Sequence, residues 1–358
     1  MPKLNPAQRQ QLLIDVLKGV SRSFYLTLRI LPKAIGEQIA VAYLLARAAD
    51  TLSDTTVLPP EKRIECLTLF REQLISGVSP AVIASIQSQL KGKLSHKYEQ
   101  RLLELMPQLF TLYLSQSEPD QLMIRNVVLT LTEGMVFDLH AFPSEESGHL
   151  RALDSAAQTD KYTYLVAGCV GEFWTEMSIA HIPELSAWDR ERLSQLGIQF
   201  GKGLQMTNIL RDLPRDLRIG RCYLSTEWMR EHDLSLEMLL DKNNANKVQP
   251  LYHQAIHVAL DHFCAAEAYI LEIPEQCARL RLAALWPLLI GLETLHKLAV
   301  SNCYLDKDTV IKVKRGWVYR MIFRSLFASG SNSKLQKWVG NEVLLVNQAL
   351  AGSLRNGP

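Results

Sequence analysis

Two aspartates four residues apart, Asp50 and Asp54, sit in the stretch ARAADTLSDT. A second pair with the same spacing, Asp212 and Asp216, lies in NILRDLPRDLRIGR. Residues i and i+4 share one face of a helix, about one turn apart. Two carboxylates so placed repel each other, but together they can hold Mg2+, which takes oxygen ligands and often reaches substrate phosphates. With 37 acids in 358 residues, about four acidic i,i+4 pairs arise by chance, most of them on solvated faces. Context separates these two from that background. Asp50 follows the apolar run VAYLLARAA, and Asp212 closely follows GLQMTNIL. A bare carboxylate on such a face is costly without a partner. If the two helices face each other, four carboxylates surround a cluster of divalent ions. Such a cluster can stabilise a departing diphosphate, and so promote ionisation of an allylic diphosphate. The carbocation then needs a dry, apolar cavity.

The elements that position these residues are helical. Asn5-Pro6 reads as an N-cap followed by proline at the first helical position. Leu12, Leu13, Val16 and Leu17 form one apolar face, and similar stripes appear at Leu67, Phe70, Leu74 and at Leu102, Leu105, Leu109. Further stripes run through residues 187–211, 251–272, 276–300 and 334–350. No run of alternating strands with hairpin turns stands out. The breaks, among them SQSEPDQ, AFPSEESG and KNNANKVQP, are too short for an interdomain linker. The expectation is one all-α domain over residues 1–358, with two helical halves meeting near residues 143–155 as the alternative.

Composition narrows the class. Apolar residues make up 47% and charged residues 21%, which fits a globular chain with a sizeable core. A net charge of +2 argues against bulk nucleic-acid binding. The six cysteines show no CxxC or metal-ligand spacing and read as free thiols in a reducing compartment. The longest apolar stretch, LAALWPLLIGL (residues 282–292), is interrupted by Pro287 and Gly291 and falls short of the roughly 20 residues a spanning helix needs. The expectation is a cytoplasmic protein with no transmembrane segment, at most in peripheral contact with a membrane. The face around Trp286–Leu292 is one surface for that contact, with core packing the stronger reading.

At the aspartate pairs the sequence resembles the squalene/phytoene synthase family of head-to-head prenyltransferases, most closely a bacterial squalene synthase. SRSFYLTLRILP (21–32), YLLARAADTLSD (43–54), YTYLVAGCVGE (162–172) and QMTNILRDLPRD (205–216) each resemble a family motif. The resemblance implies a single-domain, all-α, class I isoprenoid synthase-type bundle with a central apolar cavity. It implies Mg2+ on Asp50, Asp54, Asp212 and Asp216. Ser21, Arg22, Ser23 and Phe24 would form a diphosphate-binding flap, with Gln205, Asn208 and Arg211 as polar neighbours. Arg47 would pair with a diphosphate oxygen, or else simply with Asp50. Tyr43 and Tyr162 match cavity tyrosines, and Tyr162 either handles a proton or is a satisfied core tyrosine. Ser21 and Ser23 could instead be caps, and Gly168 and Gly171 could serve close helix packing alone. Pro214 stands between the second pair of carboxylates and predicts a kink.

The resemblance further implies two farnesyl diphosphates per turnover, condensed to presqualene diphosphate and reduced by NADPH to squalene, with no obligate protein partner. DTVIKVKRGWVYR (308–320) resembles a basic stretch of squalene synthases. Lys312, Lys314 and Arg315, with Asn208 and Arg211, would hold NADPH, or the three cations form a solvated turn. YILEIPEQ (269–276) resembles a segment in which the family phenylalanine falls on Ile270, with the adjacent Tyr269 as a substitute aromatic. That departure favours an enzyme that omits the reduction: a phytoene, dehydrosqualene or presqualene diphosphate synthase. LAGSLRNGP, without a hydrophobic tail, reads as the bacterial, unanchored type. From a different class, a non-catalytic helical lipid-binding protein would not need the four aspartates.

Overall fold

A computed structural model describes residues 4–21, 24–143 and 145–355. Helices account for nearly all regular structure, beginning with Pro6–Gln10. Asn5 caps that helix, its side chain accepting from the Gln8 amide while the Gln8 side chain accepts from Asn5. Among the described residues the strands are Arg151–Ala152 and Arg221–Cys222, paired in parallel with Arg151 opposite Arg221. The all-α expectation holds.

The chain divides into two compact units. The first comprises Met1–His140 with Glu176–Pro183, and the second Ala141–Thr175 with Glu184–Pro358. The first change of unit, after His140, falls just before the 143–155 segment where the sequence offered a division.

In the first unit the helix Lys33–Asp54 is the central element. Ile35, Ile39, Leu44, Leu45, Ala48 and Leu52 are buried along it, against the helices Pro60–Ile75, Lys97–Glu104 and Met106–Leu114. Phe70 and Phe110 meet at 5.4 Å in that core.

In the second unit the helix Arg190–Arg218 packs along Ala245–Glu272. The buried Tyr252 hydroxyl donates to the Leu210 carbonyl at 3.0 Å. Three prolines lie inside helices: Pro214 in Arg190–Arg218, Pro250, which closes a stretch that reads as a break, in Ala245–Glu272, and Pro287 in Ala278–Ala299. Apolar burial on both sides of each proline, by Leu213 and Leu217, Val248 and Leu251, and Trp286 and Leu288, outweighs the lost backbone bond. Gly291 likewise does not end its helix. A Cβ there would fall 2.5 Å from the Phe263 ring, so glycine makes room for that ring.

Ala278–Ala299 is long and apolar enough to cross a membrane by length and composition, but 72% of its apolar window is buried inside the protein. Trp286, Leu288, Leu289 and Leu292 are core residues. The core reading of this stretch is therefore the correct one, and the proposed lipid-contact surface there is withdrawn.

Candidate active site

Asp50 and Asp54 occupy the last turn of Lys33–Asp54, whose apolar face anchors the turn in the first unit. Together with Arg47, Thr51 and Glu99 they line a cavity of about 200 Å³. Arg47 forks between two carboxylates, donating through one terminal nitrogen to Asp50 and through the other to Glu99. Its Nε is buried and has no hydrogen-bond partner among the described residues. The Nε–H is thus a donor that the described residues leave without an acceptor. Burial, and then the neighbouring Asp54 carboxylate, push the Asp50 carboxyl up to about 7 against the pull of Arg47.

Glu99 was not foreseen. It lies in the first turn of Lys97–Glu104, where its amide meets the His96 N-cap side chain. Locally it reads as an ordinary N-terminal acid, and only the tertiary fold brings it to Arg47.

The other first-unit candidates are engaged in packing. Ser21 is buried and its hydroxyl donates to the Leu17 carbonyl at 2.5 Å, a back-bond within its own helix. Phe24 stacks on Tyr43 at 5.4 Å, and the Tyr43 hydroxyl donates to the Val20 carbonyl. Arg22 and Ser23 lie outside the described residues.

Asp212 and Asp216 belong to the second unit, on the helix Arg190–Arg218, which continues through Pro214. The expected spacing survives because the helix does. Arg211 grips Asp212 with two bonds, Nε to Oδ1 at 2.9 Å and Nη2 to Oδ2 at 2.5 Å, and this pairing raises the Arg211 guanidinium further. Asn208 and Gln205 bond to each other across one turn at 3.4 Å.

Tyr162 is buried and stacks on Tyr223 at 4.5 Å, while Phe142 meets Tyr223 edge-on. The helix carrying Tyr162, Ala156–Thr163, is tied to Arg190–Arg218 by Lys202. The Lys202 ammonium, 8% exposed, reaches both Asp160 oxygens at 2.7 and 2.8 Å. The sequence does not single out this pair. Further along, Gly171 and Gly197 let two helix backbones touch. A Cβ on Gly171 would lie 1.8 Å from the Gly197 carbonyl oxygen, so the close-packing reading of Gly171 is the right one.

Tyr269, offered as a substitute aromatic, is buried, with its hydroxyl 3.0 Å from Thr175 Oγ1 and its ring edge-on to Trp188. Lys312, Lys314 and Arg315 are exposed, with Lys314 the N-cap of the helix Arg315–Ala328. No acid stands in the first turn of that helix.

The donors around the first pair suit Mg2+: they are carboxylate oxygens, and their mutual repulsion would be relieved by a cation. Among the described residues no three His, Cys, Asp or Glu side chains form a metal site on their own. An ion here would complete its shell with water or substrate phosphate, as Mg2+ commonly does.

These features define an all-α fold of the isoprenoid synthase type. Residues 17–317 match the family described as squalene/phytoene synthase, and the chain belongs to that family. It is 27% identical over 337 residues to the Botryococcus squalene synthase of Botryococcus braunii, covering 92% of this chain and 65% of that one. It is 27% identical over 313 residues to a bifunctional lycopene cyclase/phytoene synthase of Colletotrichum graminicola, covering 83% of this chain and 49% of that one. The chain thus spans about half to two thirds of the length of these curated relatives. Among solved structures, a TcSQS complex with the ligand E5700 superposes with a TM-score of 0.74 at 20% identity, covering 99% of this chain and 100% of that one. A dehydrosqualene synthase complex gives 0.59 at 20% identity, covering 90% and 97%. Both structures share the fold.

Proposed function

We propose that the chain is a squalene synthase, condensing two farnesyl diphosphates to presqualene diphosphate and reducing that intermediate with NADPH. The observation that supports its first step, diphosphate ionisation, is the pairing of Asp50 and Asp54 beside Arg47 in one cavity, and its reductive step rests on the likeness of residues 308–320 to squalene synthases. The whole chain, residues 1–358, would act as one catalytic domain, in the cytoplasm or at a membrane surface.

Mg2+ held by Asp50, Asp54, Asp212 and Asp216 would supply the positive charge that stabilises a departing diphosphate. Arg47 would pair through its guanidinium with a diphosphate oxygen, a geometry that suits arginine. Ser21, Arg22, Ser23 and Phe24 would close over the diphosphate, and Gln205, Asn208 and Arg211 would steady it from the second motif. Apolar side chains would keep water from the allylic cation. Tyr162 would help remove the proton whose loss closes the cyclopropane, its hydroxyl accepting that proton as its own passes to the departed diphosphate, with Tyr43 contributing at the cavity wall. Lys312, Lys314 and Arg315, with Asn208 and Arg211, would bind the phosphates of NADPH, the source of the hydride.

One observation favours a second reading. Ile270 stands where squalene synthases carry a phenylalanine, and an isoleucine stabilises a cation less well than an aromatic face. On that reading the product is phytoene, dehydrosqualene or presqualene diphosphate, without reduction. Replacement of Asp50 by Asn separates both readings from a non-catalytic role. Diphosphate release from farnesyl diphosphate should fall by at least about a thousandfold, and unchanged release would remove the mechanism.

A further inference from the structure

We propose that the outer face of the helix Arg315–Ala328 seats on an anionic lipid surface. The inference stands on this face alone, whatever the substrate.

The helix is held by its inner side. Met321, Ser325 and Ala328 are buried, and the Trp286 indole donates to the Ser325 hydroxyl at 2.9 Å. Arg324 lies 4.2 Å over the Trp338 ring. The rotation of the helix is therefore set, and the opposite stripe is turned outward. That stripe is apolar: Tyr319 is 68% exposed, Phe323 66%, Leu326 55% and Phe327 66%. Their spacing places all four on one face. Phe323 and Phe327 are the only exposed phenylalanines among the described residues, and they pack edge-on at 5.2 Å. A stripe of this kind marks a surface that meets something less polar than water.

Charge identifies the occupant. From Thr309 to Asn341 the chain carries seven lysines and arginines and no acid, while the whole chain has a net charge of only +2. Arg315 and Arg320, both exposed, flank the apolar stripe. Aromatic rings at headgroup depth with cations beside the phosphates are the features of an interfacial helix. A second copy of the chain would oppose the same cations across a twofold axis, which argues against self-association through this face.

The test is co-sedimentation of the full chain with phosphatidylcholine vesicles, alone or with about one third phosphatidylglycerol. Binding to the anionic vesicles is expected, weakened at about 0.5 M salt. It should fall about tenfold or more in Phe323→Ser/Phe327→Ser. Tyr319→Ser/Leu326→Ser provides the same reading should the first variant fail to fold. Absence of binding, equal binding to neutral vesicles, or binding unaffected by a folded variant would overturn the proposal. So would a wild-type dimer that either variant converts to monomer.

Discussion

Replacing Asp50 by Asn should stabilise the fold at alkaline pH while removing activity. The unfolded chain gives up the Asp50 proton near 3.8 and the folded chain near 7. Between those values the folded state binds more protons, so stability falls as pH rises through the window and stays reduced above it. A carboxyl raised this far costs roughly 4 kcal/mol when fully ionised. The Asp50 side chain is 34% exposed, and solvent screening cuts the cost to about 1–2 kcal/mol. Asparagine keeps an oxygen that can accept from Arg47 but carries no charge against Asp54. Urea unfolding of wild type and Asp50→Asn at several pH values between about 4 and 8 reads the difference directly. The variant should be more stable at the alkaline end, with Tm higher by about 2–4 °C, and the gain should shrink steadily toward the acidic end. Added Mg2+ should raise the wild-type Tm more than that of the variant. A destabilised variant at alkaline pH, or a difference that ignores pH, would refute the electrostatic account of the pair.

Loss of either partner from the Lys202–Asp160 pair should be unequal. Asp160→Ala strands a buried ammonium and should cost about 3 kcal/mol or more. Lys202→Met leaves Asp160, whose side chain is 56% exposed, to water and should cost about 1 kcal/mol; equal losses in chemical denaturation would contradict this. Gly171→Ala forces two backbones apart and should cost about 3 kcal/mol or more, seen as a lower Tm or loss of soluble protein. Lys312→Ala with Arg315→Ala should slow squalene formation more than presqualene diphosphate formation, and equal slowing would count against an NADPH role.

The first aspartate pair was legible because two carboxylates interrupt an apolar helix face, which is costly unless something compensates it. The helical class was legible from periodicity, and the Asn5 cap from its local chemistry. Partners distant in sequence were not. Glu99 reads as a helix N-terminal acid, and Lys202 and Asp160 read as surface charges, until the fold brings them to Arg47 and to each other. Pro250 misled for a related reason: it closes KNNANKVQP, which reads as a break, yet it lies inside Ala245–Glu272, because proline's local penalty is visible in the sequence whereas the burial that outweighs it is not. The stripe Tyr319, Phe323, Phe327 shows the converse limit. Periodicity reveals that a face is apolar, but not whether the protein covers it.

The most direct measurement of the central claim is the product formed from farnesyl diphosphate and Mg2+, with and without NADPH, identified by mass spectrometry. Squalene only with NADPH, and presqualene diphosphate or dehydrosqualene without it, is the predicted result. The same unreduced product in both mixtures would contradict the reduction step and move the chain to the second reading. No product in either would contradict catalysis altogether.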